Sequence, residues 1–347
     1  MNNAKQYTEY SVEQAVKLLS IDSPTGYTFA AEEHLLRTFR ELGYAPVHTV
    51  KGGILVDLGG KDAENGLLLE AHCDTLGAML AEVKGNGRLR VLPLGGLPPV
   101  MANTENCRVV TKFDGSYEGT LQICNASTHV NGALRDTVPS YENTEIVLDE
   151  LVSSDDETKQ LGIGVGDVVC FDPRTRVTEK GYIKSRFLDD KLSAGILIGL
   201  AKYLKEEGVT PSRRIYLHFT VYEEVGHGGA GSVPAGVTEA ISVDMGCVGE
   251  GLQCTERQVS ICAKDSGGPY SYEVVKGLIS AAKAQEADYA VDVYPHYGSD
   301  VEATLSAGWD LRHGLIGPGV YASHGYERSH KDGVENTLKV LVGYIGA

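Results

Sequence analysis

Among the 347 residues there is no Cys-x-x-Cys pair, no Gly-x-Ser-x-Gly elbow and no phosphate loop ending in Gly-Lys-Ser or Gly-Lys-Thr. The first absence, with an odd count of seven cysteines, argues against a disulfide framework or a zinc knuckle and for reduced thiols. The second leaves a serine hydrolase without support. The glycine-rich segments Gly162-Ile-Gly-Val-Gly166 and Gly226-His-Gly-Gly-Ala-Gly231 lack dinucleotide spacing and read as turns. Basic residues are in the minority, 31 against 47 acids, and a net charge of −16 disfavours nucleic acid or an anionic membrane as partner. The apolar stretch Ser193–Ala201 is too short to span a bilayer and is ended by Lys202. No basic segment followed by an apolar core opens the chain, so a soluble, cytoplasmic protein acting on a small or peptide-like substrate is expected.

The length fits two domains better than one. Ser11 reads as the cap of an amphipathic helix with Val12, Val16 and Leu19 on one face, and a second helix is expected from about Thr28 to Gly43. Tyr44 to Val50 and Ile54 to Leu58 read as a hairpin, and Leu67 to Ala71 as a buried strand. From 76 to 178 the texture changes to short β-like pieces between Gly, Pro, Asn and Asp, with one possible helical turn near Asp149 to Gln160. After that, Leu192, Ile196, Leu197, Leu200 and Leu204 fit a helix, followed by further strands at Ile215–Tyr222 and Ala240–Val243. The pattern predicts a discontinuous α/β domain over 1–75 and 179–347, interrupted by a β-rich insert over 76–178.

Three apolar runs end in acids or histidine: Leu67–Ala71 in His72-Cys73-Asp74, Ile215–Val221 in Tyr222-Glu223-Glu224, and Ala240–Val243 in Asp244. Open α/β sheets bind ligands at the carboxyl ends of their strands, and histidine with several carboxylates is a ligand set for a reactive divalent metal. Strand alternation points His72 and Asp74 the same way and turns Cys73 into the core. A carboxylate at Asp74 is then placed to accept the second ring N–H of His72. Asp189-Asp190 stands at a loop-to-helix junction, where capping is the plain alternative; read with the other acids, Asp189 has two oxygens with which to bridge two metals, leaving Asp190 for local hydrogen bonding. Glu223 and Glu224 point apart, which suits one as ligand and one as proton carrier. His324 is the last candidate ligand; His129, His227, His296 and His330 compete with it, and composition does not choose among them. Asp300, in Gly298-Ser-Asp300, is a candidate contact for a substrate amino group, with helix capping as its alternative.

The ordered set Ala71-His-Cys-Asp-Thr-Leu-Gly77, Phe187-Leu-Asp-Asp190, Glu223-Glu-Val-Gly226, Val243-Asp244 and Ser323-His324 resembles the glutamyl and tetrahedral aminopeptidases, a family of dinuclear metallopeptidases. The resemblance spans nearly the whole chain. It implies a mixed-sheet, phosphorylase/hydrolase-like metallopeptidase domain with an inserted β-barrel-like domain that dimerises, the dimers assembling into a dodecamer. It further implies two divalent ions per subunit, zinc or cobalt with manganese as a third option, held by His72, Asp189 and Asp244 and by Asp189, Glu224 and His324. Glu223 becomes the general base, with Asp74 supporting His72. Three positions depart from the family's usual pattern: Lys191 where arginine is common, Thr75 where glutamate is frequent, and the stretch after His324. None removes a ligand. Competing functions are a dinuclear amidase or deacylase on N-acyl amino acids, a glycoside hydrolase, which leaves both histidines unexplained, and a non-catalytic assembly protein.

Overall fold

Leu67, Leu68 and Leu69 are all fully buried, which requires a strand covered on both faces. In the computed structural model, which describes residues 1, 3–113 and 115–346, that strand (Asp62–His72) lies inside a large mixed sheet. It runs parallel to Arg213–Thr220 on one side and to Val237–Val243 on the other, and Arg312–Tyr321 continues the parallel set. Ile54–Gly59 pairs antiparallel with the outer edge of Arg213–Thr220. On the opposite flank, Glu327–His330 and then Tyr182–Ser185 pair antiparallel in turn. Two reversals return Tyr182–Ser185 to the direction of the central strands, so their carboxyl ends share one edge of the sheet.

The helix Leu188–Glu206 is buried along most of its length. It packs on the helix Ala4–Leu19 through small residues: a methyl group on Gly199 would lie 1.9 Å from Ser11 Oγ. That contact explains why Ser11 is not the helix cap expected from the sequence. The helix begins at Ala4, and the fully buried Ser11 hydroxyl donates to the Tyr7 carbonyl one turn back. The second helix spans Phe29–Glu41. Of the expected strand Tyr44 to Val50, only Val47–His48 pairs, because Thr49 N already donates to Gly53 O and closes the turn.

The chain forms two compact units, Met1–Asp74 with Arg174–Ala347, and Thr75–Pro173. The second unit contains a closed six-stranded barrel ordered Gly77–Val83, Leu89–Leu94, Thr144–Leu148, Ser116–Ile123, Asn106–Val110 and Val168–Phe171. Alternate residues fill its interior: Ala78 and Leu80, Leu89 and Val91, Val109, Leu121, Ile146 and Val169 are all buried. The one helix expected there is Asp155–Gln160, capped by Ser154 Oγ accepting from Glu157 N. Arg176–Val177, at the end of the expected insert, pairs instead with Tyr182–Ser185 in the large sheet. Among the described residues no helix is long and apolar enough to cross a membrane.

Candidate active site

The parallel register sets the site. His72 lies level with Thr220, and Ser242 level with Glu70, so the residues just past these strand ends, Glu223-Glu224 and Asp244, meet beside His72. Asp189 and Asp190 arrive from the start of the helix Leu188–Glu206, where their backbone departs from helical geometry and the bond between them is cis. His324 comes from the turn after Arg312–Tyr321. Thus all the candidate ligands named from sequence converge, and the competing histidines do not all join them. His330 caps the last helix, accepting from Asp332 N, while His296 lines the same cavity as Asp189, Glu224, Asp244 and His324.

His72 is buried, and its two ring nitrogens have different partners. Nδ1 is 2.9 Å from the main-chain oxygen of Asp74, whereas Nε2 is 3.0 Å from Asp189 Oδ1. The sequence expectation that the Asp74 carboxylate takes up the ring N–H is therefore corrected: Asp74 Oδ1 stands 3.6 Å from Nδ1. Its carboxylate instead accepts from Thr25 Oγ1 at 2.7 Å and Glu223 N at 3.2 Å, pinning the turn that carries both glutamates. A carbonyl acceptor fixes the ring tautomer as well as a carboxylate does, leaving Nε2 free to face the cluster.

Asp189 sits between the histidines, with Oδ1 toward His72 and Oδ2 3.5 Å from His324 Nε2. Glu224 Oε2 is 3.8 Å from the same His324 nitrogen, and Glu223 Oε2 is 3.6 Å from His72 Nε2. Among the described residues, two groups have ligand atoms close enough to share an ion: His72, Asp189 and Glu224, and His72, Asp190 and Asp244. The second includes Asp190, which the sequence reading left to local hydrogen bonding; one of its oxygens does accept from His72 N at 3.3 Å.

The acids outnumber the positive charges around them. Burial above all lifts the carboxyls of Asp190, Glu223 and Glu224 well above their ordinary range, and burial followed by the charge of Asp189 raises Asp244 to about 7. Asp189 is the exception: burial works against its charge, yet the His324 and His72 hydrogen bonds hold its carboxyl below the usual range. His72 shows the converse, burial being outweighed by the Asp189 hydrogen bond and the surrounding carboxylates, so its pKa is well above that of a free histidine. The buried ammonium of Lys191 is committed to the Ile21 carbonyl. Among the described residues, Asp190 Oδ1 and Glu224 Oε1 are buried without any hydrogen-bond partner. Unsatisfied buried carboxylate oxygens in a cluster that also holds histidine fit a cation, which would supply the missing positive charge.

Glu327 was not singled out in the sequence. It is 1 % exposed, and its two oxygens accept from Asp189 N at 3.1 Å and His324 N at 3.0 Å, tying together the backbones of two candidate ligands. The available signal was its place three residues beyond His324. Asp300 is also buried, at 3 % exposure. Rather than capping its helix it turns Oδ2 to the Thr220 hydroxyl, while Oδ1 has no partner. Together with Glu223, Asp244 and His324 it lines a cavity of about 840 Å³.

The fold is that of the tetrahedral aminopeptidases. A TET aminopeptidase from a marine sediment archaeon of the Thaumarchaeota superposes with a TM-score of 0.87 at 18 % identity, covering 97 % of this chain and 96 % of that one. The PhTET1-12s dodecamer gives 0.84 at 21 %, covering 96 % and 98 %. Sequence places the chain further: it belongs to the M42 glutamyl aminopeptidase family, which residues 52–340 match, and it is a peptidase. It is 40 % identical over 335 residues to the putative aminopeptidase YhfE of Bacillus subtilis, 96 % of this chain and 97 % of that one. It is also 24 % identical to the glutamyl aminopeptidase of Lactococcus lactis subsp. cremoris over 216 residues, 61 % of this chain and 59 % of that one.

Proposed function

We propose that the chain is a two-metal aminopeptidase, in which His72, Asp189 and Asp244 hold one divalent ion and Asp189, Glu224 and His324 the other. The observation that carries this reading is Asp189, whose two oxygens face two different histidines. Zinc, cobalt and manganese all suit histidine and carboxylate donors. Bound there, such ions acidify water and polarise the scissile carbonyl.

The protein's own groups perform the remaining steps. Glu223, half-buried and beside His72 Nε2, accepts a proton from the attacking water at its carboxylate. As the C–N bond breaks, that proton passes to the departing amine nitrogen, and Glu223 returns to its starting state. Asp74 keeps Glu223 in reach by accepting from its main-chain N–H. Asp300, with its unpartnered Oδ1, pairs with the free α-amino group of the substrate, which limits cleavage to the first residue. Asp190 and Glu327 hold the main chains of His72, Asp189 and His324.

The barrel unit serves dimerisation, and the dimers build a dodecamer; support comes from the likeness to a dodecameric structure and from exposed apolar side chains on this unit, including Met101, Val130 and Val138. A reducing, cytoplasmic setting suits seven unpaired cysteines.

Chelation and metal add-back on aminoacyl chromogenic substrates tests the reading. Activity should vanish with the metal and return with zinc, cobalt or manganese. Activity that survives complete metal removal, or that requires a blocked amino terminus, overturns it.

A further inference from the structure

The cavity beside the cluster has acids on the wall away from the candidate ligands as well. Glu302, two residues along the helix Asp300–Ser306, is half-buried in it. Its carboxylate lies so close to Gly267 that a methyl group there would be 1.7 Å from Oε1, whereas one on Gly298 would be 3.3 Å from Oε2. The missing side chain of Gly267 thus gives Glu302 room to enter the cavity. Behind it stands Asp265, fully buried, which accepts from Tyr270 Oη at 2.5 Å and Gly267 N at 2.9 Å. Tyr270 also meets Ser299, so the acid pair is braced on the strand end and on the helix that bears Asp300.

Among the described residues no lysine or arginine lines this cavity; its basic residues there are His296 and His324. Lys264, next in sequence to Asp265, directs its ammonium to the Asp265 main-chain oxygen and is exposed. Burial, then the hydrogen bond and charge of the neighbouring Asp265, raises Glu302 to about 7. The two carboxyl groups stand side by side, and an entering ammonium supplies the counter-charge that their surroundings lack. The buried, unpartnered Asp300 Oδ1 on the same helix is a second, independent sign that the cavity wall is short of donors. A carboxylate side chain entering here meets like charge in a site of reduced dielectric, whereas a lysine or arginine side chain meets its counter-ion.

Building on the proposed aminopeptidase reaction, we propose that Glu302, backed by Asp265, is the specificity-determining residue for the first side chain of the substrate and selects lysine or arginine over glutamate or aspartate. The family's glutamyl designation then does not describe this chain's preference.

The test uses the metal-loaded protein with lysyl, arginyl, leucyl and glutamyl chromogenic amides, read as kcat/KM ratios. The wild type should favour lysyl over glutamyl by at least about a hundredfold, the range open to a site that leaves a buried charge unpaired with the wrong substrate. Glu302→Gln should lower the lysyl-to-leucyl ratio by about tenfold or more, and Glu302→Lys should move the preference toward glutamyl. A wild type that favours glutamyl, or a lysyl-to-leucyl ratio unmoved by either variant while leucyl amide is still cleaved, overturns this inference alone. The wild-type ratio needs no variant to fold. Failure to release any residue from any amide removes the aminopeptidase mechanism and this inference with it.

Discussion

Two acid–histidine arrangements share the strands Asp62–His72 and Arg213–Thr220. Glu70 lies level with His218, and one same-face step toward the carboxyl edge His72 lies level with Thr220. The deeper pair is closed: Glu70 Oε1 is 3.1 Å from His218 Nδ1, and its other oxygen accepts from the Thr304 hydroxyl at 3.2 Å. The outer arrangement is open, with His72 facing several carboxylates and with Asp190, Glu224 and Asp300 each keeping a buried oxygen without a partner. Burial and residue type are common to both. What separates the two is the surplus of acceptor oxygens over donors, which the inner pair lacks and which, on the proposed function, the outer cluster would offer to a cation and a substrate amine.

The sharpest break in that comparison is removal of the shared acid. Asp189→Ala should abolish both metal retention and peptide cleavage, because it takes one oxygen from each histidine; full metal content in this variant, measured by elemental analysis, would contradict the bridging role. Glu223→Gln should keep the metal and cut turnover by about two or more orders of magnitude, as expected for loss of a general base. Steady-state kinetics near the wild-type value would remove Glu223 from that part.

Smaller effects are expected from the supporting residues. Glu327→Gln leaves one of its two backbone acceptors in place and should weaken metal affinity by about 10- to 100-fold, the usual scale for groups that orient ligands. A competitive chelator titration reads this directly, and an unchanged affinity would assign Glu327 to folding alone. At the inner pair, Glu70→Gln should lower thermal stability by about 1–3 kcal/mol through a poorer partner for His218. Turnover per folded molecule and metal content should stay the same; loss of metal there would mean that the two arrangements are one network.

Much of the outer cluster was legible because strand ends are legible. Apolar runs that stop at His72, Glu223-Glu224 and Asp244 declare where the parallel strands leave the core, and the sheet brings them to one edge. The β-rich texture of the insert likewise translates into a closed barrel. What escaped notice depends on partners distant in sequence. Glu327 lies in a run, Tyr326-Glu-Arg-Ser-His330, with the look of a surface strand, and only its pairing beside Ser185 buries it under Asp189 and His324. The orientation of Asp74 was misread for a related reason: its own carbonyl satisfies His72, and Thr25, far back in the chain, claims the carboxylate. Ser11 looked like a cap because nothing local reveals that Gly199 needs its small side chain.

The most direct measurement is anomalous diffraction from crystals of the metal-loaded protein, recorded at the absorption edge of the added ion. Two peaks per chain are expected, one on each side of the Asp189 carboxylate, the first against His72 and the second against His324. No peak at this cluster under saturating metal, or a single peak that does not touch Asp189, would contradict it.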